Sequence, residues 1–185
     1  MVLARRERSS THIRGTIIDL ETIGPFDRTY PPWDPRHYAS VSPTIFGYLT
    51  GDTLTQHCAE NTEEIQEIIE TMRDTLPGLE QPFYALNCGF ERNIIANTCR
   101  QSHPFRDVRE DRHRGSKWAI RQRLGIPAYG DPFHGDGLRC IPEWHNGNHR
   151  DCLRHNRACL LIERDIHRHV RTSQRSRLHP KTPRL

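Results

Sequence analysis

Residues 16–22 read Thr-Ile-Ile-Asp-Leu-Glu-Thr. The run is short, apolar and β-branched, broken only by Asp19 and Glu21, and it reads as a buried strand. Period-2 alternation sends both carboxylates to the same side. Two acids facing one way from an apolar strand are costly to bury, so the plain alternative is an edge strand with both exposed. Ile17, Ile18 and Leu20 give the segment a central character, and a divalent cation would then offset the two charges. Hard oxygen donors of this kind select Mg²⁺ or Mn²⁺.

Outward from this strand, residues 23–42 form a long insertion with Pro25, Tyr30, Pro31, Pro32, Trp33, Pro35 and Tyr38. A loop of that length in a compact domain is often functional. Residues 43–50 read as a second strand, Gly51-Asp52 as a hairpin turn, and 53–59 as the returning strand. Asn61 or Thr62 caps a helix whose apolar face is Ile65, Ile68, Ile69, Met72 and Leu76, ended by Pro77-Gly78. Then come a strand over 82–87, a helix over about 90–99, a short strand near 105–109 and a helix over 117–124. A Gly- and Pro-rich loop spans 128–147, and a last helix runs from about Arg150 to Val170. This order predicts an α/β fold with a mixed sheet, an antiparallel hairpin plus parallel βα units, flanked by helices.

A chain of 185 residues suits one domain, read as a basic N-terminal segment at 1–15, a folded body at 16–166 and a basic, flexible tail at 167–185. Hydrophobic residues make up 34%, and no run approaches the ~20 apolar residues of a membrane span. No apolar signal core follows the opening Met-Val-Leu-Ala-Arg-Arg. Six cysteines without a Cys-x-x-Cys pair then point to free thiols in a reducing, cytoplasmic setting. The net charge of +4 is a sum of unlike parts: +3 over 1–15, −5 over 16–166 and +6 over 167–185. Such a layout suits tails that hold a polyanion and a body that holds a cation, or tails that merely aid solubility.

Five further features could carry chemistry. Glu91 follows the strand at 82–87 and a tight turn, so it sits at a strand's carboxyl end or serves as a first-turn helix acid. Asp151, His155 and Cys159 are spaced i, i+4, i+8 and share one stripe of the last helix. Cys140, His145, His149 and Cys152 offer four Zn²⁺ ligand types within thirteen residues, although a loop leading into the last helix explains them as well. Tyr30, Trp33 and Tyr38 could stack on unpaired bases or pin the insertion to the body. Arg171, Arg175 and Arg177 could track phosphates.

In sequence order, Ile-Asp-Leu-Glu-Thr (18–22), Tyr-Ala-Leu-Asn-x-x-Phe-Glu (84–91) and Leu-Arg-His-Asn-Arg-x-x-Leu-Leu (153–161) resemble the DEDD 3′–5′ exonuclease superfamily of the ribonuclease-H-like fold. Lys117-Trp-Ala-Ile-Arg-Gln-Arg-Leu-Gly-Ile126 is similar to the helix this superfamily carries before its last motif, and the resemblance covers about 14–166. It implies a two-metal nuclease acting on single-stranded DNA or RNA, with Asp19, Glu21 and Glu91 as Mg²⁺ or Mn²⁺ ligands. His155 would orient or deprotonate the attacking water. Cys159 falls where the superfamily has its final metal-binding Asp, and thiolate is a poor ligand for Mg²⁺. A catalytically inactive module that binds nucleic acid or a protein is therefore the alternative.

Overall fold

The computed structural model describes residues 1–109 and 114–178, with side-chain detail at all of these except 10–12 and 173–178. Among the described residues, one mixed sheet of four strands runs in the order β2-β1-β3-β4. Strands β1 (Leu3–Ile23) and β2 (Ser42–Cys58) pair antiparallel. Strands β3 (Phe83–Ala85) and β4 (Phe105–Asp107) add in parallel on the other side of β1. The helices are α1 (Ile65–Thr75), α2 (Cys88–Cys99), α3 (Lys117–Arg123), α4 (Cys140–His145) and α5 (His149–Leu178). The fold is thus α/β with an antiparallel pair and parallel βα units.

The strand at 16–22 is central, as its composition predicts. Ile17 packs with Leu49, Ile120, Leu160 and Ile166 on the α3 and α5 side. Ile18 and Leu20 pack with Ile68, Met72 and Ile94 on the α1 and α2 side. Asp19 follows Ile17 onto the α5 side, where Asn156 meets it. Asn61 caps the turn that opens α1, accepting from the amides of Glu63 and Glu64.

The expected hairpin at Gly51-Asp52 does not form. Residues 53–58 continue β2 and pair with the amino-terminal part of β1, Arg8 with Thr53 and Leu3 with Cys58. A two-residue type I′ turn needs positive φ at both central residues. Here Gly51 takes φ 57 while Asp52 is not among the positive-φ residues. Gly51 instead serves a bend, where the register shifts between Arg8 and Ile13.

The boundary at 15/16 consequently falls inside β1. Arg157 Nε donates to Glu7 at 2.8 Å and Arg164 Nη1 to Ser9 at 2.7 Å, tying this segment to α5. The boundary at 166/167 falls inside α5, whose backbone is helical to Leu178 and which buries His167 and Val170, so the tail expected from 167 begins as helix. The loop expected over 128–147 contains α4, anchored by Trp144, whose indole donates to the Ala59 carbonyl at 2.6 Å.

Gly47 explains how closely α5 approaches the sheet. It pairs with Asp19, and a Cβ there would lie 2.1 Å from Asn156 Oδ1 and 3.0 Å from Leu160 Cδ1. Gly47→Ala is expected to cost about 1–3 kcal/mol by overpacking. Thermal denaturation should show it as a fall of roughly 2–4 °C per kcal/mol. An unchanged midpoint would show that α5 does not press on β2 at this point.

Candidate functional site

The carboxyl half of β1 brings Asp19 and Glu21 up to α5. Glu91 sits in the first turn of α2, four residues beyond Asn87, which follows β3 and Leu86. Helix α5 supplies His155, Cys159 and Glu163 from successive turns, about 6 Å apart along its axis. All six side chains are buried, at 7% exposure or less. Asp19, Glu21, Glu91, His155 and Cys159 line one pocket of about 290 Å³ with Phe26, Phe90 and Lys117. The pocket lies where β1 has an antiparallel neighbour on one side and a parallel one on the other. Crevices of this kind at strand carboxyl ends are where open α/β sheets bind ligands.

Each acid is held differently. Lys117 Nζ, from the start of α3, stands 2.6 Å from Asp19 Oδ1 and 2.7 Å from Glu163 Oε1. Asn156 Nδ2 donates to the Asp19 carbonyl at 2.9 Å and to its Oδ2 at 2.8 Å, while its own Oδ1 accepts from Gln56 at 2.8 Å. His155 Nδ1 lies 2.8 Å from Asp131 Oδ1, and Asp131 also accepts from the amides of Phe133 and Gly135. That leaves His155 Nε2 facing the site, 3.6 Å from Cys159 Sγ and 3.9 Å from Glu21 Oε1. Glu91 Oε2 is buried with no hydrogen-bond partner among the described residues.

Burial dominates the electrostatics. It pushes Glu21 up to about 8, against the attraction of His155. It likewise pushes Glu163 up to about 8, against the attraction of Lys117. Glu91 is raised well above the usual carboxylate range by burial and by Glu163 and Asp19 beside it. Burial opposes the charged form of Lys117, but Asp19, Cys159 and Glu163 overcome it and hold the ammonium well above its usual value. The same contest pushes His155 up to about 12, burial being outweighed by Cys159, Asp131 and Glu21. Burial and Asp19 raise the Cys159 thiol.

The structure gathers Asp19, Glu21, Glu91, His155 and Cys159, all of which the sequence singles out. It adds Glu163, Lys117, Asp131, Asn156 and Cys140, which sequence reasoning did not assign to this site. Glu163 continues the stripe of His155 and Cys159 by one more turn and was legible there. Asp131 lies in an irregular loop with no periodicity to mark it. Asp151, at the other end of the stripe, turns outward to pair with Arg154 at 3.0 Å. Asp107 pairs with Arg109 at 2.5 Å.

Several expectations need correction. Tyr38 is buried, donates to the Pro32 carbonyl and packs edge-on to Phe26 and Phe90, so it pins the insertion and cannot stack on a base. Tyr30 is half-buried beneath the Arg36 guanidinium, 4.1 Å from its ring centroid. Trp33 is 76% exposed and stays available. Arg171 lies on α5, and the side chains of Arg175 and Arg177 lie outside those described. Cys140, His145, His149 and Cys152 do not gather as a zinc site. His149 faces Glu60 and packs against Trp144, and the potential metal-ligand groups among the described residues are Glu21–Cys140–His155 and Asp19–Glu21–Cys159. All six cysteines are free.

Among the described residues no helix is long and apolar enough to cross a membrane. A scan against protein-family models and searches of curated proteins and of solved structures return no match to this chain.

The raised acids set a pH dependence. A group whose pKa is higher folded than unfolded contributes stability that is present below its unfolded value and lost as pH rises through its folded value. For Glu21 and Glu163 that window runs from 4.5 to about 8. The metal-free protein should lose thermal stability steadily across it, with a slope of up to about 1.4 kcal/mol per pH unit for each group. Glu163→Gln should flatten the slope, and a stability that rises from pH 5 to 8 would contradict the burial assigned to these acids.

Proposed function

We propose that this chain is a metal-dependent nuclease of ribonuclease-H-like architecture that hydrolyses phosphodiester bonds as a 3′–5′ exonuclease on single-stranded DNA or RNA. The observation that carries the reading is the convergence of Asp19, Glu21, Glu91 and Glu163 from three separate elements on one buried spot. Four carboxylates packed together, with Lys117 and His155 as the basic groups among them, cost more to bury, charged or protonated, than a fold bears without a use for them.

The residues fit a divalent cation. The unpaired, buried Oε2 of Glu91 and the surplus of acids over bases both favour one. Asp19, Glu21 and Glu91 would hold it. Once bound, such an ion neutralises phosphate charge and makes water acidic enough to yield hydroxide near neutral pH.

The chain's own residues supply the rest. Asp131 fixes the His155 ring so that Nε2 faces the pocket. With its acidic neighbours ionised, His155 keeps its proton and can donate to a phosphate oxygen. Cys159 and Asp131 hold that proton more strongly than Glu21 does, so His155 serves here as a donor. Phe26 and Phe90 at the pocket offer faces for an unpaired base. The pocket's volume, near the lower end of ligand-site sizes, suits a strand terminus.

The inactive alternative also has an observation behind it. Lys117 occupies the gap between Asp19 and Glu163, giving these two acids a built-in cation. A Mn²⁺- and Mg²⁺-dependent assay on 3′- and 5′-labelled single-stranded DNA and RNA separates the readings. Activity is expected from 3′ ends, and Asp19→Ala should lower it at least ~100-fold, beyond the 10–100-fold typical of groups that act through a ligand. Absence of Asp19-dependent cleavage on both substrates would leave the inactive module.

A further inference from the structure

We propose that Glu21, Cys140 and His155 form a binding position for a borderline divalent cation of the zinc class, at the edge of the pocket that Glu21 and His155 line. As an account of catalysis this deepens the nuclease reading and rests on it. As an account of binding it stands on the donors alone.

The three residues come from unrelated places: β1, the first turn of α4 and the first half of α5. One ligand atom from each lies within 4.8 Å of the others, and all three side chains are buried. A Zn²⁺ ion with bonds of about 2.0–2.3 Å needs donor separations of about 3.3–3.8 Å, so closure asks for a shift of roughly an ångström. A carboxylate, a thiolate and an imidazole suit zinc or cobalt and do not suit Mg²⁺.

Two further observations point to a ligand at this place. The first is the support of His155. Its Nδ1 is paired with Asp131 at 2.8 Å, and Asp131 is itself held by two backbone amides. A carboxylate behind a histidine, fixing the ring and freeing the other nitrogen, is the usual outer partner of a metal-ligating imidazole. The second is the space in front of Nε2. Gly137 faces it, and a Cβ there would come 3.4 Å from His155 Nε2 and 3.9 Å from Glu21 Oε2, filling the position between them.

The neighbouring Asp19–Glu21–Cys159 group is the weaker candidate. Asp19 already has Lys117 at 2.6 Å and two contacts from Asn156, so a metal there must displace an existing cation. A free nucleophilic role for Cys159 is disfavoured as well. Reactive thiolates form in electropositive, partly exposed surroundings, whereas Cys159 is buried and burial and Asp19 raise its thiol despite Lys117 and His155.

Cobalt reports thiolate ligation directly. Full-length protein, stripped with chelator and titrated with Co²⁺, should develop a near-ultraviolet thiolate-to-cobalt charge-transfer band, and Zn²⁺ should erase it by competition. Cys140→Ser should abolish the band, while Cys159→Ser should leave it. Asp131→Asn should keep the band but weaken affinity by about 10–100-fold. Circular dichroism confirms that each variant is folded, and the conservative Cys140→Ser keeps the test usable if Asp131→Asn is not. A Co²⁺ titration without a thiolate band overturns the proposal. So does a band that survives Cys140→Ser and vanishes in Cys159→Ser. Either result leaves Mn²⁺-dependent nuclease activity free to appear, whereas a thiolate band with no cleavage of DNA or RNA would fail the nuclease reading alone.

Discussion

Lys117 is the contact on which the rest of the site depends. One ammonium reaches Asp19 on β1 and Glu163 on α5 and so joins the sheet to the helix at its most acidic point. Burying a carboxylate is unfavourable by itself, and burying several together compounds the cost through mutual repulsion. Lys117 offsets part of that for Asp19 and Glu163, and Asn156 offsets more through two hydrogen bonds to Asp19. Glu91 Oε2 has no hydrogen-bond partner among the described residues, and Glu21 has His155 at 3.9 Å and the Cys140 thiol, with Lys117 acting on both acids less directly. The unmet part of the charge therefore lies on the pocket side, where a ligand can reach it.

The geometry of the sheet makes that concentration possible. Gly47 pairs with Asp19 and carries no side chain, which lets Asn156 and Leu160 settle on the strand. Asn156 then reads two oxygens of Asp19 and is in turn fixed by Gln56, one bend further along β2. A longer side chain at position 47 would lift α5 and move His155, Cys159 and Glu163 together, because they share one helical face. Fold and site are in this respect one construction: the packing that buries Ile17 and Leu160 also sets the spacing between the acids of β1 and those of α5.

The fold class was legible because its elements are locally encoded. The strand at 16–22, the Asn61 cap and the apolar faces of α1 and α5 all follow from period and capping. The hairpin at Gly51 was misread because a glycine with positive φ serves a bend as readily as a turn. The decision between them rested on a distant strand, residues 3–8, whose charged composition gave no sign of pairing. In the site, Asp19, Glu21, Glu91 and His155 were visible as acids and a base at strand and helix ends. Glu163 was hidden by reading the α5 stripe toward Asp151 instead of away from it. Asp131 was hidden because nothing periodic marks a loop residue whose importance comes from the histidine it meets.

Cys159 sets a thiol on the α5 face that also carries His155 and Glu163. Glu163 adds a carboxylate to the same face of α5 one turn on, and Lys117 spans from it back to Asp19, linking helix and sheet. The donors differ from one side of the site to the other. Around Asp19 an incoming hard ion must compete with an ammonium already in place. Lys117 pairs with Asp19 and Glu163 and not with Glu21, which has the imidazole of His155 and the thiol of Cys140 within 4.8 Å. Replacing oxygen donors by sulfur and nitrogen lowers the advantage of Mg²⁺ and raises that of zinc-class ions. If a cation binds as proposed, its kind rests less on the body's net −5 than on two side chains, His155 and Cys140, of which the thiol adds nothing to that count.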